Sequence, residues 1–283
     1  MSFWKTILTG ALLGTASLSW AATGSVPSCY TANKLPMAAP VPEREVFILL
    51  AQTTPLDATL QKSVIENVAR VLQPGSAYSI ATFSSFGQGR YLELLAAGAM
   101  EVTLPESARN SIGVKVLRNF DACLVSQQNF VRKTAAAALQ QALSGINPDY
   151  AKSDVMASVK EMSARIKQSP ASSKVLFLVS DMLENSAVSS FYANRNVRQL
   201  NPGAELQKAT SASMLADLDG ARVFVLGAGL VQDAQSKGRA QDSGVYRSPQ
   251  AMNALKDFWN QYFQNSNATL QEFGMPALLV PVQ

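Results

Sequence analysis

Val46-Phe47-Ile48-Leu49-Leu50-Ala51 is an unbroken apolar run that stops at Gln52-Thr53-Thr54-Pro55-Leu56-Asp57. A second run, Val175-Leu176-Phe177-Leu178-Val179, stops in the same way at Ser180-Asp181-Met182-Leu183-Glu184-Asn185. Runs this short, with no polar alternation, read as strands buried on both faces, the condition of a parallel sheet lying under helices. In such sheets ligands gather where strand carboxyl ends meet helix amino ends. The polar residues after each run are therefore the first candidates for function.

The pattern extends in both directions from these runs. Leu56, Leu60, Val64, Val68 and Val71 recur at helical spacing and predict a helix over 55–73, ended by Pro74-Gly75. Thr54-Pro55-Leu56-Asp57 has the form of its start, with Thr54 as N-cap, Pro55 at the first position and Asp57 at the third. A strand over 78–83 ends at Ser84-Ser85, and Tyr91-Leu92-Glu93-Leu94-Leu95 marks an edge strand. A long helix over 118–144 is broken by Gly145 and Asn147-Pro148. Another covers 154–168, with Ser153-Asp154 as a cap followed by an acid that suits the helix dipole.

After the strand over 174–180, Asp181-Met182-Leu183-Glu184 has the spacing of a capping box, and helical segments are expected over 186–218. A strand at 222–226 leads to Gly227-Ala228-Gly229. These glycines lack the third glycine of a dinucleotide loop and read as turn formers. Ser248-Pro249 opens an amphipathic helix on Met252, Leu255, Phe258, Trp259, Tyr262 and Phe263, whose aromatics read as core. A last strand is expected near 277–282. Strands alternating with helices predict an α/β fold built on a doubly wound, mostly parallel sheet with helices on both faces.

Composition narrows the function classes. Residues 1–21, with Lys5 ahead of a mostly apolar stretch and Ser19-Trp20-Ala21 as a small-x-small site, read as a signal peptide. Residues 22–43 read as an extended, proline-rich leader and 44–283 as one domain. Export is thus expected, to a periplasm first and an extracellular space second, with no membrane span. Of the 283 residues 16% are charged, and the net charge of +4 comes without a Lys/Arg cluster, so a nucleic-acid partner is not expected. Cys29 and Cys123 are a candidate disulfide in an oxidising compartment, with two separate buried thiols as the alternative. A lipid anchor on Cys29 is disfavoured by Val26-Pro27-Ser28 before it. The chain has no histidine, which removes Ser-His-Asp and Cys-His catalysis and histidine-ligated zinc.

The order of elements over 45–283 resembles the von Willebrand factor A, or integrin I-like, domain, a doubly wound sheet with one antiparallel edge strand. The resemblance implies a divalent cation at the top of the sheet. Its ligands would be an Asp-x-Ser-x-Ser motif after the first strand, a Thr before a middle helix and an Asp after the fourth strand. This sequence keeps only part of that set. Thr53 stands for the first serine, Ser153 for the threonine and Asp181 for the final aspartate, but Ala51 replaces the first aspartate and Pro55 the last hydroxyl.

Thr53, Ser153 and Asp181 bring one formal negative charge to an ion that wants several oxygen ligands. Asp57, Asp154 or Glu184 would have to add more. The resemblance therefore implies a degenerate adhesion site with no cofactor, a weakly held Mg2+ or Ca2+ being the alternative. The expected function is a non-enzymatic module that docks a protein partner with the strand-end face. Its contacts would be Gln52, Thr53, Thr54, Ser84, Ser153, Asp181, Glu184 and Asn185. The alternatives are cation-dependent adhesion through a rearranged metal site and, more remotely, an acid-based hydrolase.

Overall fold

Alternate residues of the first apolar run point to opposite faces, and the computed structural model fills both. It describes residues 26–85, 92–147, 152–193, 196–231 and 248–283. The elements in chain order are α1 (Cys29–Ala32), β1 (Arg44–Ala51), α2 (Ala58–Val71), β2 (Ser76–Phe83), β3 (Leu92–Ala99), α3 (Glu106–Arg109), α4 (Val114–Ser144) and α5 (Val155–Gln168). They continue with β4 (Ser173–Val179), β5 (Tyr192–Ala193), β6 (Asn196–Val197), α6 (Pro202–Ser211), β7 (Ala221–Leu226), α7 (Pro249–Asn265) and β8 (Ala268–Phe273). Val46, Ile48 and Leu50 enter one core with residues of α2 and α4. Phe47, Leu49 and Ala51 enter the other with residues of α5 and α7. The helices thus cover both faces, and β1 is apolar throughout because neither side meets water.

The six-stranded sheet has the order β3-β2-β1-β4-β7-β8. Every neighbouring pair is parallel except β2 and β3, which are antiparallel. The chain leaves β1 for β2 on one side and returns on the other side as β4, so the order reverses between β1 and β4. Leu50 lies opposite Val179, which sets the two carboxyl ends side by side. The two runs that dominate the sequence are therefore neighbours at the switch point, where open sheets place their ligands.

Several elements differ from expectation. The last strand is Ala268–Phe273, not 277–282. It is buried at its two ends and alternates exposed and half-buried residues between them, as a half-solvated edge strand does, and follows Asn267 in a left-handed conformation (φ 54°). The expected segment contains Pro281, which cannot donate to a ladder, and its Val282 N–H bonds the Asn67 side chain (2.9 Å) instead of a strand. The described residues of 186–218 are mostly not helical: they hold the β5–β6 hairpin and one helix, α6, capped by Asn201 and started by Pro202. The cap of α2 is Asp57, whose carboxylate accepts from Leu60 N–H (2.8 Å), and not Thr54.

Residues 22–43 are not simply extended, because α1 lies among them and is docked. Cys29 and Cys123 form a disulfide that joins α1 to α4, with Cα atoms 5.7 Å apart. Tyr30 packs edge-on against Phe120 in a small apolar cluster with Leu104 and Leu124. The Cys29 N–H donates to Glu101 Oε2 (2.7 Å), and Gln127 Nε2 donates to Pro27 O (2.8 Å). Closing a loop of 94 residues removes entropy from the unfolded chain worth about 4.7 kcal/mol in the chain-entropy model. Paired Cys29→Ser and Cys123→Ser substitution should lower the unfolding free energy by roughly 3–5 kcal/mol in urea titrations. A loss below about 1 kcal/mol would mean that the surrounding contacts alone hold the leader.

Candidate functional site

The strand-end face is built around Asp181, the second residue past β4. Ser180 N–H still follows the sheet, donating to Leu226 O of β7 (2.9 Å). From Asp181 onward the bonds go elsewhere. Its N–H donates to Thr54 Oγ1 (3.1 Å), its carbonyl accepts from Gly229 N–H (2.8 Å), and its carboxylate accepts from Leu183 N–H (2.9 Å) and the Tyr192 hydroxyl (2.7 Å). One residue therefore ties the ends of β1, β4 and β7 to the β5–β6 hairpin. Gly227 and Gly229 both have positive φ, and a Cβ on Gly227 would lie 3.1 Å from Ser180 O, so these glycines shape the turn.

Met182 follows in a left-handed conformation (φ 59°), which turns the chain away from a helix. The Trp259 indole of α7 donates to Met182 O (2.8 Å) and fixes that turn from the core side. Phe258, Trp259, Tyr262 and Phe263 are all fully buried, so the aromatic set is core, as its spacing predicts. The expected capping box at Asp181–Glu184 does not form. Glu184 caps a different helix, its carboxylate accepting from Met156 N–H (3.0 Å) in the first turn of α5. The side chain of Asp154, the residue before α5, makes no cap bond, so the capping charge comes from β4's loop instead.

The expected contact residues do converge, though on different terms. Thr54 meets Asp181, Ser84 O accepts from Asp154 N–H (3.4 Å), and Ser153 and Asn185 exchange backbone bonds (2.9 and 3.3 Å). Gln52 is turned toward α4, its side-chain amide donating to Ala142 O (3.0 Å). Thr54, Ser153, Asp181 and Glu184 are buried, whereas Gln52, Thr53, Ser84 and Asn185 are partly exposed. Tyr192 is the participant that sequence reasoning missed. Its one signal is Ser189-Ser190-Phe191-Tyr192, a stretch poorer in helix formers than a helix over 186–218 requires.

The resemblance puts a cation among Thr53, Ser153 and Asp181. The Thr53 and Ser153 hydroxyl oxygens are buried and make no hydrogen bond among the described residues. Ala51, however, lies in the core and offers no side-chain oxygen. Both Asp181 carboxylate oxygens already accept from the chain's own donors. Among the described residues no group of three or more Asp, Glu, His or Cys side chains is placed to hold a metal. One occupied carboxylate and two hydroxyls are a poor match to a hard divalent cation, which favours several charged or carbonyl oxygens.

Burial dominates the titration of both acids. It pushes the Asp181 carboxyl up to about 6, against the lowering effect of the Leu183 N–H and Tyr192 hydroxyl. It pushes Glu184 up to about 7, against the bonds from Ser186, Met156 and Val155. The Tyr192 hydroxyl is raised as well, first by burial and then by the Asp181 charge it faces.

No protein-family model matches the chain, and no curated protein matches it. Among solved structures it is similar to an aerotolerance-related membrane protein from Bacteroides fragilis that carries multiple mutations to serines. The identity is 11%, the match covers 81% of this chain and 92% of that chain, and the TM-score is 0.37. A likeness this shallow carries no argument about function.

The two acids give the face a pH signature. Both carboxyls have folded-state values above their ordinary ones, so the unfolded chain releases these protons first as pH rises. Their contribution to stability is fully present below about pH 4 and is lost as pH climbs through about 7. At about 1.4 kcal/mol per pK unit, each group weakens the fold by on the order of 3 kcal/mol at pH 8 relative to pH 4. Asp181→Asn can keep both hydrogen bonds, since Tyr192 can accept from the amide, and removes the titration. Urea unfolding of wild type and D181N from pH 4 to pH 8 should show the variant gaining relative stability across that window. A difference between them that does not change with pH would contradict the assignment.

Proposed function

We propose that this chain is an exported, non-enzymatic binding module of the von Willebrand factor A-like kind that docks a protein partner through its strand-end face without a resident metal. The observation that carries the proposal is the internal satisfaction of Asp181. Both oxygens of its carboxylate accept from Leu183 and Tyr192 at the switch point of the sheet. The residue best placed to ligate a cation instead holds three strand ends and a hairpin in one arrangement. What the face presents outward is a rim of polar and basic side chains: Ser84, Lys152 and Asn185.

A rigid polar rim of this kind suits hydrogen bonding to a macromolecule more than enclosure of a small substrate. The absence of histidine and of a nucleophile motif speaks against an enzyme. Export is supported by the signal-like first 21 residues and by the Cys29–Cys123 disulfide, which persists in oxidising compartments. Among the described residues no helix is long and apolar enough to cross a membrane.

Site-specific photo-crosslinking in the producing cell tests the assignment. A photoreactive residue at Ser84, Lys152 or Asn185 should give one shared, discrete adduct. The same residue at exposed Ser172, at the amino ends of the strands, should give none. Absence of adducts at the strand-end positions, or the same adduct from Ser172, would overturn the proposal.

A further inference from the structure

The face of α2 and α4 turned away from the sheet holds a feature unrelated to the strand ends. α2 begins just past the carboxyl end of β1, and α4 ends there, where Gln52 donates to Ala142 O. The two helices therefore run antiparallel. Between them lies a groove of about 660 Å3, within the range of about 300–1,000 Å3 in which small-molecule sites fall. Its lining residues run from Gln61 on α2 to Leu72, the residue that caps it, and from Arg132 to Ser144 on α4. Each span covers about three helical turns, or roughly 16 Å.

The groove is apolar along its length and polar at its ends. Ile65, Leu72, Leu139 and Leu143 form its walls. Ala135 and Ala136 keep it open where larger side chains would close it. Ile65 is 48% exposed, unusual for an isoleucine with a core available beside it. Gln61 and Ser144 line the end nearest the strand carboxyl ends, and Arg132 lines the other, beside Leu72. Arg132 makes no hydrogen bond or ion pair with any described residue.

We propose that this groove binds a long-chain fatty acid, with its carboxylate on Arg132 and its alkyl chain along the leucine and alanine walls. The lining selects the tail: an apolar slot about three helical turns long, roughly 16 Å, takes an extended alkyl chain laid along it. The charge selects the headgroup: a guanidinium without a partner at one end of an apolar slot matches a single carboxylate, which it can hold through two parallel hydrogen bonds. The site is separate from the strand-end face, so either assignment stands or falls without the other.

Dodecanoate, below its micelle-forming concentration, is the probe, titrated by calorimetry into the disulfide-bonded mature chain. Dodecyltrimethylammonium serves as the same tail with opposite charge. Dodecanoate should bind at one per chain and the cationic tail at least tenfold more weakly. R132Q should weaken dodecanoate about tenfold and erase that preference. Ala136→Trp, at an exposed position, should fill the groove and weaken binding at least tenfold while circular dichroism stays unchanged. Equal binding of the two tails, or retention of binding in A136W, would overturn the proposal. So would a concentration-dependent dimer that A136W abolishes, which would make a second copy the occupant. Adsorption to phosphatidylglycerol vesicles with no binding of free dodecanoate would overturn it too.

Discussion

The arrangement depends on Asp181. A backbone that leaves a buried strand must find new partners for its N–H and C=O groups, and at this position they come from two other segments. Thr54 supplies the acceptor for the N–H, Gly229 the donor for the carbonyl, and Leu183 and Tyr192 the donors for the carboxylate. The ends of β1, β4 and β7 and the β5–β6 hairpin are thereby fixed by the backbone and carboxylate of one residue that is 2% exposed. Glu184, three residues on, repeats the device for α5 by capping its first turn from outside the helix. Two buried acids thus organise the whole strand-end face. Their satisfaction from within makes them structural groups first.

That arrangement explains how far the sequence could be read. The sheet was legible because strands buried on both faces must be continuously apolar, so β1 and β4 stand out, and their adjacency follows from the doubly wound order. The aromatic set of α7 was legible for the same reason, since a buried face enforces helical spacing. Edge elements carry weaker signals. β8 has one wetted side and alternates, and a proline-containing tail beside it was the more apolar candidate. Local capping rules failed where tertiary bonds competed with them. Thr54 has the form of an N-cap, but its hydroxyl is taken by Asp181 N–H, and Asp57 caps α2 instead. Tyr192 was missed because the stretch around it signals only a poor helix and not a bond spanning 11 positions.

The same two acids separate fold from function. A doubly wound sheet supports many activities, and only the chemistry of the site distinguishes them. Here alanine stands in the core where the resemblance calls for a ligand, and the remaining aspartate is occupied. A face so arranged presents a fixed surface of hydroxyls and amides and holds no concentrated charge. The groove between α2 and α4 lies on a helix-covered side of the sheet and has the opposite character, apolar with one unpaired cation. A docking face and a lipid slot on separate surfaces would let one molecule engage a protein and an acyl chain together.

Calorimetric titration of Mg2+ and Ca2+ into the purified chain at pH 7.5 tests most directly whether Asp181 is a closed junction. If its carboxylate is held by Leu183 and Tyr192, millimolar metal should give no saturable heat, and D181N should behave as wild type does. A saturable signal at one ion per chain that D181N abolishes would show that the carboxylate serves a cation, contradicting the account.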